Sequence, residues 1–219
     1  MKKENKINKE KIFEIYGDYL LNHGERPRNV FQFSQANNFE ESKFYEYFSS
    51  FEEIEKQILA QLFSKSLELA SGMEEFETLT AKEKLLNVYY IFFENLTLNR
   101  SLVMMLTGQD KIDHFKTFQS LKQIHREFTK TLYFEENKLL EKAPQNVKNL
   151  NEKSKEEMLW LHLVSCIEFW KKDTSPSFEK TDLFIEKTID TGFELIDNEP
   201  LKKVMDLGKF LWKEKFGIN

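Results

Sequence analysis

Apolar residues recur at three- and four-residue intervals along the chain, and this spacing predicts one helix after another. Ile12, Ile15, Tyr16, Tyr19 and Leu20 share one face of a helix over residues 9–21. His23-Gly24 ends it, because glycine accepts the left-handed conformation of a helix stop. Two short helical pieces follow, 27–37 and 40–48, with Asn37-Asn38 as a tight corner between them. Ser49 or Ser50 caps a long helix over 51–70, and Glu52 and Glu53 face the positive end of its dipole. Its apolar stripe reads Phe51, Ile54, Ile58, Leu62 and Leu69. The pattern breaks at Ser71-Gly72 and restarts at Thr80-Ala81-Lys82-Glu83, a capping-box spacing. A strongly apolar helix over 85–98 then carries Tyr89, Tyr90, Phe92 and Phe93. A short buried helix spans 99–107 with Leu102, Val103, Met104, Met105 and Leu106. Residues 111–135 place Ile112, Phe115, Phe118, Leu121, Ile124, His125, Phe128 and Leu132 on one face. The polar stretch 137–155 contains Pro144, and 141–151 is expected to be a mobile loop. Helices over 156–171, 176–197 and 200–216 close the chain, with Pro176 and Pro200 in first turns that tolerate a missing N–H. Nine or ten helices are expected, without internal repeats.

Composition agrees. Gly 7 and Pro 4 make 11 of 219 residues, about 5% against the ~12% of average usage, which disfavours a sandwich, a barrel or a glycine-rich phosphate loop. With 21 Phe and 40% hydrophobic residues, the chain can bury a core and is not expected to be disordered. The net charge of -5 gives no global attraction to a phosphate polymer. A single cysteine, Cys166, excludes a disulfide framework and a cysteine-based zinc site, and fits a reducing cytoplasm. No run approaches ~20 apolar residues, and Met1-Lys2-Lys3-Glu4-Asn5-Lys6 leads into no apolar core. A cytoplasmic protein without stable membrane insertion is the expectation.

A leading helix, a glycine stop and two short helices around a corner form the layout of a helix-turn-helix. Within it, Phe44-Tyr45-Glu46-Tyr47-Phe48 followed by Glu52-Glu53-Ile54 resembles the second half of the TetR-type DNA-binding domain, and the resemblance covers residues 9–63. It implies an all-α TetR-like fold. A three-helix DNA-binding unit would occupy 1–50, and a helical ligand-binding and dimerisation domain 51–219, with 51–70 connecting them. It also implies a homodimeric transcriptional regulator, a repressor released from DNA by a hydrophobic small molecule. Arg28, Lys43, Tyr45 and Tyr47 would be the DNA-binding residues. Val30, Phe33, Ala36, Phe39, Phe44 and Phe48 are positioned to form the small core beneath them. Residues 25–50 carry three basic side chains (Arg26, Arg28, Lys43) against four acidic ones (Glu25, Glu40, Glu41, Glu46). Duplex affinity relies on cations that release counterions, and Lys2, Lys3, Lys6, Lys9 and Lys11 would have to add to it. A glutamate can still accept a hydrogen bond from cytosine N4.

On the ligand side the resemblance implies that Phe92, Met105, Phe118, His125, Trp160 and His162 contribute to an apolar chamber; ordinary core packing explains the same residues. His125 and His162 lie on apolar faces with no carboxylate or second histidine at i+3 or i+4, so neither is read as a metal ligand. No metal or other cofactor is expected. Cys166 reads as a small buried apolar residue; a nucleophilic role would need His162, one turn away. No catalytic constellation stands out, and an enzyme is not expected. Residues 169–186, with Asp173-Thr174-Ser175-Pro176-Ser177-Phe178, are similar to a segment of the TetR-fold lipid-binding accessory proteins of coenzyme Q biosynthesis. Here Asp173 to Ser175 would cap a helix begun by Pro176, with Phe178, Leu183 and Phe184 facing inward. That similarity implies the alternative function, a lipid or hydrophobic-ligand binding protein that has lost DNA binding. The amphipathic helix expected at 200–216 is read as packed on the body, or as meeting a membrane or partner through its Lys-flanked aromatic face.

Overall fold

The computed structural model describes residues 7–107, 111–132 and 145–197, with side chains described throughout except at 111–117, 145–154 and 194–197. These residues form nine α-helices and two 3-10 turns, and no strand occurs among them. The fold is all-α, as the periodicity predicts. The expected terminal helix at 200–216, residues 141–144 of the expected loop, and Lys2, Lys3 and Lys6 lie outside the described residues, as do the side chains of Ile112 and Phe115.

Local signals set the helix ends. α1 (Lys9–His23) is capped by Asn8, whose side chain accepts from the Lys11 N–H. It stops at Gly24, whose φ of 72° lets its N–H reach the Leu20 carbonyl at 2.8 Å. α2 (Val30–Ala36) and α3 (Glu41–Tyr45) flank the expected corner, where Asn38 adopts a φ of 56°. Asn37 Nδ2 donates to the Phe33 carbonyl there at 2.8 Å. Ser50, rather than Ser49, caps α4 (Phe51–Ser71). Thr80 and Glu83 exchange the reciprocal capping-box bonds at the start of α5 (Ala81–Leu98). α6 (Arg100–Thr107) follows where expected, and α7 (Lys111–Thr131) begins where expected but ends before Leu132.

Several expectations need correction. Residues 145–151 are helical, because α8 runs from Gln145 to Lys172. No Gly or Pro interrupts those 28 residues, so a helix anchored by buried Leu163, Ile167 and Trp170 propagates back to the residue after Pro144. Pro176 opens a separate 3-10 turn (Pro176–Phe178), and α9 begins only at Glu179 (Glu179–Asp197). On α9 the inward positions are Thr181, Ile185 and Ile189, while Leu183 is exposed. On α4 Phe51, Ile54 and Ile58 are buried as expected, but the seam continues through Leu59, Phe63, Ser66 and Ala70; Leu69 lies off it and is 51% exposed. In α2 it is Ser34, not Ala36, that turns inward, its hydroxyl donating to the Val30 carbonyl at 2.5 Å.

The chain divides into two compact units: Met1–Met73 with Ile91–Phe128, and Glu74–Tyr90 with Thr129–Asn219. In the first, α6 packs so closely on α1 that a Cβ on Gly17 would come within 2.9 Å of Leu102 Cδ2. In the second, α8 packs on α9, with Phe169 and Phe184 stacked at 4.4 Å.

Candidate functional site

The small core under α2 and α3 is almost entirely aromatic. Phe33 sits at its centre, edge-on to Tyr16, Tyr19, Phe39, Phe44 and Phe51 at centroid distances from 5.4 to 6.3 Å. Tyr16 stacks on Phe51 at 5.2 Å, and Phe13 meets Phe48 edge-on at 5.0 Å. Rings at these separations gain beyond their buried area from edge-to-face electrostatics. With Val30, Phe33, Ser34, Phe39, Phe44 and Phe48 all inward, the remaining positions of α2 and α3 face out or lie at the margin.

Each DNA-binding residue expected from the sequence lies on that outward side. Arg28 and Lys43 are exposed, Tyr45 is 54% exposed and Tyr47 38%. Lys43 Nζ donates to Glu46 Oε1 at 2.7 Å, one turn on. Phe31 stands beside this set, 56% exposed.

A polar cluster that sequence reasoning missed ties this unit to α4. Arg26, in the connection between α1 and α2, donates from Nε and Nη2 to the two oxygens of Glu55, at 2.8 and 2.5 Å, and from Nη1 to Glu52. The fully buried Tyr16 donates its hydroxyl proton to Glu55 Oε1 at 2.5 Å. The bond to Glu55 holds the Arg26 guanidinium well above its usual range, and burial together with Glu55 does the same for the Tyr16 hydroxyl. The partners lie 26 to 39 residues apart, so no local spacing announces them. Replacing Glu55 by Ala leaves two of the Arg26 donors and a buried hydroxyl without their acceptor, and a loss of about 2 kcal/mol is expected from charged hydrogen bonds of this kind. Urea unfolding of E55A, R26A and the double variant measures the term; strictly additive losses would show that the contacts are not coupled.

The six residues expected to meet a ligand divide between the two units. In the first, buried Phe92 and His125 both pack against Phe63, at 5.0 and 5.7 Å, with Phe128 at 6.1 Å. Asn95 donates to Ser66 on α4 at 2.8 Å beside them. Met105 and Phe118 are half-buried. In the second unit Trp160 and His162 are half-buried on α8. The His162 ring stacks on Tyr89 at 5.7 Å, and its Nε2 lies 2.7 Å from Thr188 Oγ1. The Thr188 hydroxyl proton goes to the Phe184 carbonyl at 2.6 Å, so His162 donates from Nε2. Burial pushes its pKa down to about 4. Cys166 Sγ does approach His162 Nε2, at 3.5 Å, but burial pushes the thiol up to about 12. A neutral imidazole next to a protonated thiol is not an activated nucleophile. No group of three or more His, Cys, Asp or Glu that could hold a metal occurs among the described residues, and no helix among them is long and apolar enough to cross a membrane.

The family model described as "Tetracyclin repressor-like, C-terminal domain" matches residues 84–211. No curated protein matches the sequence. A match that spans more than half of the chain, on an all-helical body, shows that this protein belongs to the tetracyclin repressor-like family.

Proposed function

We propose that the chain is a cytoplasmic, ligand-responsive transcriptional repressor. It binds DNA as a homodimer through residues 1–50 and leaves it when a hydrophobic small molecule enters the helical body of residues 51–219. The observation that carries this reading is the outward display of Arg28, Lys43, Tyr45 and Tyr47 from an aromatic core tied to the start of α4. In a symmetric pair of subunits, two copies of α3 reach successive major grooves when they stand about 34 Å apart. Arg26 and Tyr16 hold Glu52 and Glu55 on α4, so a tilt of α4 carries α1–α3 with it and changes that spacing. A ligand produces the tilt only by binding the released arrangement more tightly than the DNA-bound one. Phe92, Met105, Phe118, His125, Trp160 and His162 are the residues assigned to it. A neutral His162 suits an uncharged, apolar molecule. Met158 and Leu161 on α8 and Leu183 on α9, 52%, 62% and 47% exposed, supply apolar surface for the second subunit.

Fluorescence anisotropy with promoter DNA from beside the protein's own gene tests the reading. Binding should weaken steadily as salt rises, and Tyr45→Ala should weaken it about tenfold on every duplex, as loss of a phosphate hydrogen bond requires. Unchanged affinity would defeat the Tyr45 assignment, and absence of binding at low salt would defeat the repressor.

One set of observations favours a second reading, a lipid or hydrophobic-ligand carrier with no operator. Residues 7–73 carry seven Lys and Arg against eleven Asp and Glu, and Arg26 and Lys43 are both committed to glutamates. The similarity of 169–186 to the coenzyme Q accessory proteins points the same way. Native mass spectrometry separates the two, since a carrier should leave the cell with lipid bound.

A further inference from the structure

The outward side of α3 carries one lysine, Lys43, against Glu40, Glu41 and Glu46, which is unusual for a surface meant to grip phosphates. Lys43 spends its ammonium on Glu46 at 2.7 Å, and the two side chains are equally exposed, at 48%. The backbone at Glu46 is still right-handed helical, with φ -67° and ψ -24°, so Lys43 and Glu46 stand one turn apart on the same side, one donor beside one acceptor. A G·C pair offers the complementary row in the major groove: two adjacent acceptors, guanine N7 and O6, followed by the cytosine N4 donor. An A·T pair offers single acceptors on either side of a donor, then the thymine methyl group. A cation and an anion held together fit the first row and meet a mismatched group in the second.

We propose that Lys43 and Glu46 act as one reading element for a G·C base pair in each half-site, Lys43 donating to guanine O6 and N7 and Glu46 accepting from cytosine N4. The proposal rests on the DNA-binding reading and assigns Lys43 to base choice. Exchange of the internal ion pair for two contacts on the base edges costs little, because water screens an exposed pair of this kind. The pair itself brings no net charge to the base edges.

The test is selection of binding duplexes from a randomised library by the full-length protein and by E46Q and K43M. Both positions are exposed, and circular dichroism checks that the variants fold. The wild type should enrich half-sites with an invariant G·C pair at one position. In E46Q that preference should fall about tenfold or more, while binding to random duplex tightens because a negative charge is gone. K43M should lose the same position and no other. Retention of the wild-type base preference by either variant would overturn the proposal and leave the repressor standing. Failure of the wild type to enrich any sequence would overturn the repressor, and the base assignment with it.

Discussion

Phe33→Ala is expected to cost about 4 kcal/mol, the middle of the range for loss of a buried ring, and to unfold α2 and α3 before the rest of the chain. The ring is 1% exposed and touches five other aromatic rings contributed by α1, the α2–α3 corner, α3 and α4. Its removal leaves a cavity that five rigid rings cannot close by rotamer changes alone. α2 has 7 residues and α3 has 5, both far below the ~12–15 at which an isolated helix is even marginal in water. Their order comes from this core, so the cavity falls on the elements least able to survive it. A total stability of about 5–15 kcal/mol makes such a loss decisive. Phe31→Ala, two residues earlier on the exposed side, should change stability by less than about 0.5 kcal/mol. Urea unfolding measures the pair, and amide exchange over Val30–Ala36 and Glu41–Tyr45 locates the damage. Equal effects of the two substitutions would show that the ring cluster does not organise the unit.

That unit was legible in the sequence because its determinants are local. Gly24, the Asn37-Asn38 corner, Ser50 and the Thr80–Glu83 box each act within a few residues, and all appear in the structure. The outward position of Arg28, Lys43, Tyr45 and Tyr47 followed from the apolar residues between them. Ala36 was misplaced because a serine that donates to its own helix is accepted in a core, which hydrophobicity alone does not reveal. Leu69 and Leu183 were misplaced for a related reason: an apolar residue next to a buried seam satisfies the spacing nearly as well as one on it. The tie between Arg26, Glu55 and Tyr16 was invisible, since Arg26 reads as one more cation for DNA until α4 is folded beside it. The polar run from 145 to 151 has a loop's composition and a helix's backbone, set by the buried end of the same helix. The ligand side was least legible, because Phe92 and His125 carry the same signal whether they are core or chamber.

Asp173→Asn should cost about 2–3 kcal/mol at neutral pH, and that cost should disappear in acid. The carboxylate accepts from the Ser175 N–H and hydroxyl at 2.8 and 2.7 Å, and from the Thr181 N–H and hydroxyl at 2.9 and 2.7 Å. An asparagine of the same shape presents an amide donor to at least one pair of these donors, and Thr181 has no exposed surface from which to find water. The bonds also hold a costly link. Ser177 and Phe178 both adopt positive φ, 51° and 58°, a left-handed conformation worth about 1–2 kcal/mol per residue against it. They do so where Asp173, eight residues before Thr181, caps the first turn of α9 from the end of α8. Burial opposes the charge on Asp173, but the four donors outweigh it and bring the pKa down to about 2. The sign follows from that direction: a carboxylate whose pKa falls on folding stabilises the protein fully above its unfolded value, near 3.9, and loses that contribution as pH falls through the folded one. The gap between wild type and Asp173→Asn should therefore stay constant from about pH 7 to 5 and close between about pH 4 and 2. Urea midpoints across that range measure it. A gap that persists unchanged to the acid limit would mean that the side chain stabilises α9 by shape rather than by charge.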